Sequence, residues 1–319
     1  LLRCDLKMHI AVVGTGRVGR PTANALLTEG LASELTVCDI KKDLAESFAE
    51  ELKHVAASQR FDVKVNVCGD AENISGADLI IISAGYPRTP GSNISRRMLS
   101  EKNAEIVKEV SEKTMEKNPD AKYVVVTNPV DAMAMICKRY TGRPFVLSTG
   151  THLESLRFRA RLAESLSVPV SKVQGWVLGE HGENAFIAWS SVKIDGLSLE
   201  ERLEEVDETL KSEVLSYILS VSRRIIDGLG ATEFGPAASF RDIVRAIVRN
   251  TNEVMPVASP IRFEGIGEPV FVSAPTRLGS SIGPVLINRL SADEKLRLKS
   301  AAESVYQTYL TALKSLEVR

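Results

Sequence analysis

The apolar run Ile10-Ala11-Val12-Val13 passes directly into Gly14-Thr15-Gly16-Arg17-Val18-Gly19 and then into a helical stretch through Leu26 and Leu27. Glycines at this spacing behind a strand commit the chain to a tight strand-to-helix turn. The first permits the turn, the second lets backbone approach a pyrophosphate, and the third lets helix and strand pack closely. The helix N-terminus adds free amides and a partial positive charge. Twenty residues past Gly19, Asp39 closes the next β-branched run, where a carboxylate accepts bonds from both ribose hydroxyls and repels a 2'-phosphate. Gly14, Thr15, Gly16, Arg17, Val18, Gly19 and Asp39 therefore predict a site for NAD. Lys41 and Lys42 stand within reach of a 2'-phosphate and leave NADP open as a secondary cofactor.

The first half alternates short β-branched runs with amphipathic stretches, as a parallel sheet covered by helices requires. Strands are read at 9–13, 35–39, 63–67, 79–83, 122–127 and 145–147. Leu44, Phe48, Leu52 and Val55 form one stripe at helical spacing, suited to face the sheet or a partner subunit. After about Leu147 the pattern changes. A helix at 153–166 leads to strands at 173–178 and 185–192, then to helices marked by 210–225 and 240–248, a strand pair at 253–260 and 269–274, and a closing helix at 298–316. The prediction is an α/β chain: a Rossmann-type doubly wound parallel sheet at 1–147, followed by a mixed α+β substrate domain at 148–319.

Forty basic against forty-one acidic residues give a formal charge of -1, so no global field attracts nucleic acid or an anionic membrane. The apolar run at 77–84 is too short to span a bilayer. The leading segment carries charges of both signs before Met8 and lacks a signal-peptide core, which predicts a cytoplasmic protein. Cys4, Cys38, Cys68 and Cys137 are widely spaced and read as reduced thiols, and no cluster has metal-ligand spacing.

Further motifs follow in order: Ser83-Ala84-Gly85-Tyr86-Pro87-Arg88, Ser95-Arg96-Arg97-Met98-Leu99, Thr127-Asn128-Pro129-Val130-Asp131, His152-Leu153-Glu154-Ser155-Leu156-Arg157 and Gly179-Glu180-His181-Gly182. Together with the glycine loop they resemble the lactate/malate dehydrogenase family from about Met8 to the last helix. Gly230-Ala231-Thr232-Glu233-Phe234-Gly235-Pro236 further resembles its archaeal malate dehydrogenases. The chemistry gives its own reasons for these residue types. Reducing a 2-oxo acid needs a proton donor to the developing alkoxide, and an imidazole such as His181 titrates near neutrality. The resemblance implies that Glu154 pairs with His181, that Arg157 grips the substrate C1 carboxylate, and that Arg96 polarises the reacting carbonyl. Glu154 departs from the family pattern, which has aspartate there. By the same resemblance Asn128 orients substrate or nicotinamide, Thr232 caps the pocket, and Ser83, Ala84, Gly85, Asn103 and Thr127 line the dinucleotide.

Family malate dehydrogenases carry an arginine at the position of Arg88, where lactate dehydrogenases have an uncharged residue. The resemblance implies that Arg88 pairs with the distal carboxylate of malate. Closing a site over a monocarboxylate would bury Arg88 unpaired, at roughly 3 to 5 kcal/mol, or about a hundredfold to a few thousandfold in selectivity. Arg97 is the alternative to Arg96 at the carbonyl, because two residues are inserted upstream relative to the family pattern. Two other functions stay open: oxidation of lactate or another 2-hydroxy monocarboxylate, and a dinucleotide-binding sensor or scaffold without turnover. The resemblance also implies a homodimer or homotetramer acting on a small dicarboxylate.

Overall fold

Parallel strands buried on both faces read as continuous apolar runs, and β4 (Leu79–Ile82) is the plainest example, with all its residues buried. The computed structural model describes residues 7–86, 95–202 and 207–317. β1 (His9–Val13), β2 (Glu34–Cys38), β3 (Lys64–Cys68), β4, β5 (Lys122–Val125) and β6 (Val146–Ser148) pair in parallel in the order β3-β2-β1-β4-β5-β6. This is the doubly wound arrangement, with the strand order reversing between β1 and β4. Each of the strands predicted in the first half appears within one or two residues of its expected bounds, whereas the one expected at 269–274 runs on to Leu278.

Alternation along the strands divides the core. Ala11, Val13, Ile80 and Ile82 point to one face, covered by α3 (Arg96–Met115), α4 (Val130–Thr141) and the closing α8 (Ala292–Glu317). Ile10, Val12, Leu79 and Ile81 point to the other, covered by α1 (Gly19–Thr28), α2 (Lys42–Gln59) and α7 (Phe234–Val248). Helices from the second half thus complete both faces of the first half's sheet. On α2 the face against the sheet is Ala45, Ala49, Leu52 and Ala56, whereas Leu44, Phe48 and Val55 are only half-buried beside it. Small residues win the contact because they let helix and strands approach closely.

The sheet continues beyond β6 through antiparallel strands. β10 (Glu253–Ile261) and β11 (Val270–Leu278) pair along their length, and single contacts join β10 to β6 and β11 to β7 (Val173–Gly179). β8 (Ala185–Ile194) and β9 (Leu197–Ser198) extend past β7, and β12 (Ile282–Val285) pairs with β11. A third apolar cluster lies where α5 (His152–Ser165) and α6 (Glu208–Leu229) cover β7 and β8, centred on Phe158, Val177, Ile187 and Val214. Among the described residues no helix is long and apolar enough to cross a membrane.

Candidate active site

The carboxyl ends of β1 and β4 meet at the strand-order reversal, where open α/β sheets bind ligands. Gly14 has φ +97°, and a Cβ there would lie 2.5 Å from the Ala84 amide nitrogen. The Ser83 hydroxyl braces the loop from below, donating to the carbonyls of Val13 at 3.1 Å and Gly14 at 2.9 Å. A Cβ on Gly19 would sit 1.8 Å from the Gly14 carbonyl oxygen, so only glycine allows α1 to start so close to β1. At exposed Gly16 a Cβ would meet nothing within 4 Å, leaving its backbone open to an incoming group. The loop therefore fits a dinucleotide: two glycines serve internal packing and the third keeps a clear approach for phosphates. Gly19→Ala is expected to lower Tm by several degrees through overpacking. Gly16→Ala should leave Tm unchanged and raise the Kd for NAD, as calorimetric titration would read.

Asp39 binds more of the protein than its spacing suggested. Its Oδ2 accepts from the Thr15 amide at 2.8 Å and the Thr15 hydroxyl at 3.0 Å, and its Oδ1 accepts from the Lys41 amide at 2.9 Å. A carboxylate offers about four lone-pair positions, so one on Oδ1 is left for a ribose hydroxyl, and Asp39 chiefly clamps the glycine loop to the end of β2. Lys42 pairs with exposed Glu46 at 3.1 Å, a contact too weak to withhold it from a phosphate. The remaining lining residues also brace one another. Thr127 donates to the Ala84 carbonyl at 2.7 Å, and buried Asn103 accepts from the Tyr86 amide at 2.7 Å while donating to the Asn128 carbonyl at 2.6 Å. Asn128 itself is exposed at the end of β5, before a cis peptide to Pro129.

The proton-transfer candidates come from the far side of β6. Gly150, at φ +53°, turns the chain from β6 into α5, and the Thr151 amide donates to Ser273 Oγ at 2.9 Å. The Ser155 hydroxyl donates to the Thr151 carbonyl at 3.0 Å and accepts from the Val177 amide at 2.9 Å, tying the first turn of α5 to β7. This junction sets the distance between Glu154, one residue before Ser155, and His181, just beyond β7. Glu154 Oε2 lies 3.2 Å from His181 Nδ1, and Oε1 accepts from Arg157 Nη1 at 3.3 Å. One carboxylate thus holds both the imidazole and the guanidinium, with the Glu154 and Arg157 side chains 8% and 12% exposed.

The electrostatics follow from that fork. The Glu154 charge pushes the His181 imidazole up to about 9, against the opposing effect of burial. Burial alone would raise Glu154, but the His181 charge and hydrogen bond together with Arg157 outweigh it and hold the carboxyl below its ordinary range. Burial lowers Arg157, partly countered by Glu154. The additional methylene of glutamate is accommodated here as a bridge to two partners.

Other expected residues fall less centrally. Thr232 is half-buried in the α6–α7 connection, two residues after Gly230, where a Cβ would lie 2.7 Å from Arg17 Nη1; that connection therefore rests on the glycine loop. Arg88 lies outside the described residues. Arg96 opens α3, but its side chain is likewise outside them. Arg97 pairs with Glu101 at 2.9 Å and is 77% exposed. Motif reasoning gave Asp131 no role, yet its buried Oδ2 accepts the His181 amide at 3.0 Å. Only its place in the Asn128-Pro129-Val130-Asp131 segment signalled it. His152, the first residue of α5, is buried with Nε2 3.4 Å from Asp242 Oδ2. Among the described residues no group of three or more His, Cys, Asp or Glu could hold a metal ion.

Two family descriptions match this chain: "lactate/malate dehydrogenase, NAD binding domain" over residues 8–145, and "lactate/malate dehydrogenase, alpha/beta C-terminal domain" over residues 151–312. The malate dehydrogenase of Sulfurisphaera tokodaii is 40% identical over 308 residues, 97% of either chain. The L-lactate dehydrogenase of Thermus aquaticus is 34% identical, over 93% of this chain and 96% of its own. The solved structure of malate dehydrogenase from Salinibacter ruber aligns with a TM-score of 0.86 at 27% identity, covering 97% of this chain and 98% of that one. A glycine loop at the strand-order reversal and a His–Glu–Arg group gathered on buried Glu154 beyond β6 therefore coincide with matches over both halves, and the chain belongs to the lactate/malate dehydrogenase family.

Proposed function

We propose that this chain is an NAD-dependent L-malate dehydrogenase that interconverts malate and oxaloacetate, with residues 1–147 holding the dinucleotide and 148–319 carrying the acid/base group. The observation that carries this reading is the Glu154 fork, whose charge favours a protonated imidazole beside a guanidinium able to receive a carboxylate. Bound at Gly14 to Gly19 and Asp39, the nicotinamide cofactor supplies the hydride acceptor or donor. In reduction His181 gives its proton to the substrate oxygen, and in oxidation the neutral ring takes it back. Arg157 spends one N–H on Glu154, leaving the rest of its five-donor fork for the C1 carboxylate. Arg96 is assigned to the reacting carbonyl, and the outward pairing of Arg97 with Glu101 supports that choice. Arg88 is assigned to the distal carboxylate.

The test compares oxaloacetate with pyruvate, each under NADH and NADPH. Oxaloacetate with NADH should be fastest, and Arg88→Gln should lower its kcat/KM about a hundredfold or more. Faster turnover of pyruvate by the unaltered chain would replace malate with a monocarboxylate, and no turnover of either would favour a sensor. We further propose a cytoplasmic homodimer or homotetramer. The half-buried Leu44, Phe48 and Val55 on α2 and the exposed Leu219, Ile226 and Leu229 on α6 are suited to such contacts. Light scattering after gel filtration would read the assembly directly.

A further inference from the structure

We propose that Asp131 is a positioning residue for His181: its buried carboxylate fixes the backbone of the histidine and, through Ser148, the turn that leads into the helix carrying Glu154. The inference rests on the acid/base reading of His181. Asp131 sits in the first turn of α4 and is 2% exposed. Its Oδ2 accepts the His181 amide at 3.0 Å, and its Oδ1 accepts the hydroxyl of fully buried Ser148 at the end of β6. The Ser148 oxygen in turn accepts the Gly150 amide at 3.2 Å. Gly150 admits no side chain, since a Cβ would lie 2.2 Å from Ser273 Oγ.

One carboxylate therefore ties together the two segments whose separation defines the His181–Glu154 contact. A loop following a strand end has many accessible positions, and the segment after Gly179 contains a second positive-φ glycine, Gly182 at φ +145°. Anchoring the His181 amide removes that freedom at the residue where a displacement of about an ångström can cost roughly a hundredfold in rate. Burying a carboxylate away from water is costly unless its oxygens are bonded, and here the His181 amide and the Ser148 hydroxyl bond one oxygen each.

Charge gives a second effect. His181 faces Glu154 and Arg157 of α5 and Asp131 of α4, while Asp131 faces His181 and, beyond β7, Glu180. Asp131 and Glu154 raise the proton affinity of the imidazole, and Arg157 lowers it. Burial pushes the Asp131 carboxyl itself up to about 6, with the Ser148 and His181 hydrogen bonds opposing. With donors on both of its oxygens, Asp131 is set up for the ionised form, whose charge supports the protonated imidazole.

The experiment pairs Asp131→Asn with Ser148→Ala, each measured by kinetics and by nuclear magnetic resonance titration of labelled histidine. The four histidines are distinguished by the signal lost in His181→Gln. Asp131→Asn should lower kcat about tenfold to a hundredfold with little change in KM for oxaloacetate, and should move the His181 titration to lower pH. Ser148→Ala should do the same to a smaller extent and leave the soluble fold intact. If Asp131→Asn does not fold, Ser148→Ala decides the question. A His181 titration and kcat matching the unaltered chain in the soluble variants would overturn the proposal. The titration needs no substrate, so it tests Asp131 even if neither oxaloacetate nor pyruvate is turned over.

Discussion

Replacing Glu154 with glutamine is expected to reduce kcat by roughly a thousandfold, by analogy with the loss of the orienting acid in other acid–base sites. The size of the effect follows from the two roles the carboxylate performs together. Oε2 stands 3.2 Å from His181 Nδ1, so the charge favours imidazolium and, in the proposed reaction, leaves Nε2 to exchange the proton with substrate. Oε1 holds Arg157 at 3.3 Å in a nearly closed setting. Glutamine can offer an oxygen to only one of them and neutralises neither. The pH profile makes the loss diagnostic. His181 is raised to about 9 mainly by Glu154, so in the unaltered chain reduction should decline, and oxidation rise, as pH passes through about 9.

The same shift links to stability. A histidine whose pKa is higher folded than unfolded contributes stability fully below its ordinary value of about 6.5, and that contribution is lost as pH rises through about 9. In Glu154→Gln both kinetic limbs should move to lower pH, because burial then acts without its main counterweight. The alkaline loss of stability should shrink as well. Glu154→Asp keeps the charge and should stay active. Profiles of Glu154→Gln in both directions, superimposable on those of the unaltered chain, would remove Glu154 from the mechanism.

The parts of this site that could be read from spacing are those whose partners lie close along the chain, whereas the Glu154–His181 pair, 27 residues apart, followed from the family resemblance. Gly14 to Gly19 sit within one turn, and Glu154 and Arg157 lie three residues apart on one helical face. Strand-like apolar runs are equally local, so β1 to β6 were found, while β9, two residues long, and β12, whose run is broken by Gly283 and Pro284, were not. Asp131 and His181 are 50 residues apart and meet only because α4 and β7 converge beside β6. Nothing in the spacing of Asp131, Ser148 and Gly150 signals that they form one chain of hydrogen bonds. Asp39 shows the converse limit. Its position was predictable, but the Thr15 and Lys41 amides that take up most of its lone pairs depend on how the loop folds back on it. The α2 stripe was legible only in part: Leu52 packs in the core, but close packing against the sheet favours the neighbouring alanines and leaves Leu44, Phe48 and Val55 half-buried.

Arg157→Gln is expected to lower kcat/KM for oxaloacetate by about two hundredfold to a few thousandfold, the equivalent of roughly 3 to 5 kcal/mol for a buried charge left without its partner. Two anions lose their cation at once, the substrate C1 carboxylate and Glu154. The effect on His181 is opposite in sign to that of Glu154→Gln. Arg157 lowers the proton affinity of the imidazole, so its removal should carry the kinetic limbs to higher pH, whereas loss of Glu154 carries them lower. Because both variants break the same Glu154–Arg157 contact, the double variant should be far less impaired than the product of the two single losses. Arg157→Lys separates charge from geometry. A lysine restores a positive point charge and should return the pH profile toward that of the unaltered chain, but it cannot grip a carboxylate with two parallel N–H bonds. It should therefore remain poor in kcat/KM. A loss below tenfold in Arg157→Gln would mean that the substrate carboxylate is held elsewhere, and Arg157 would then be left as the structural partner of Glu154.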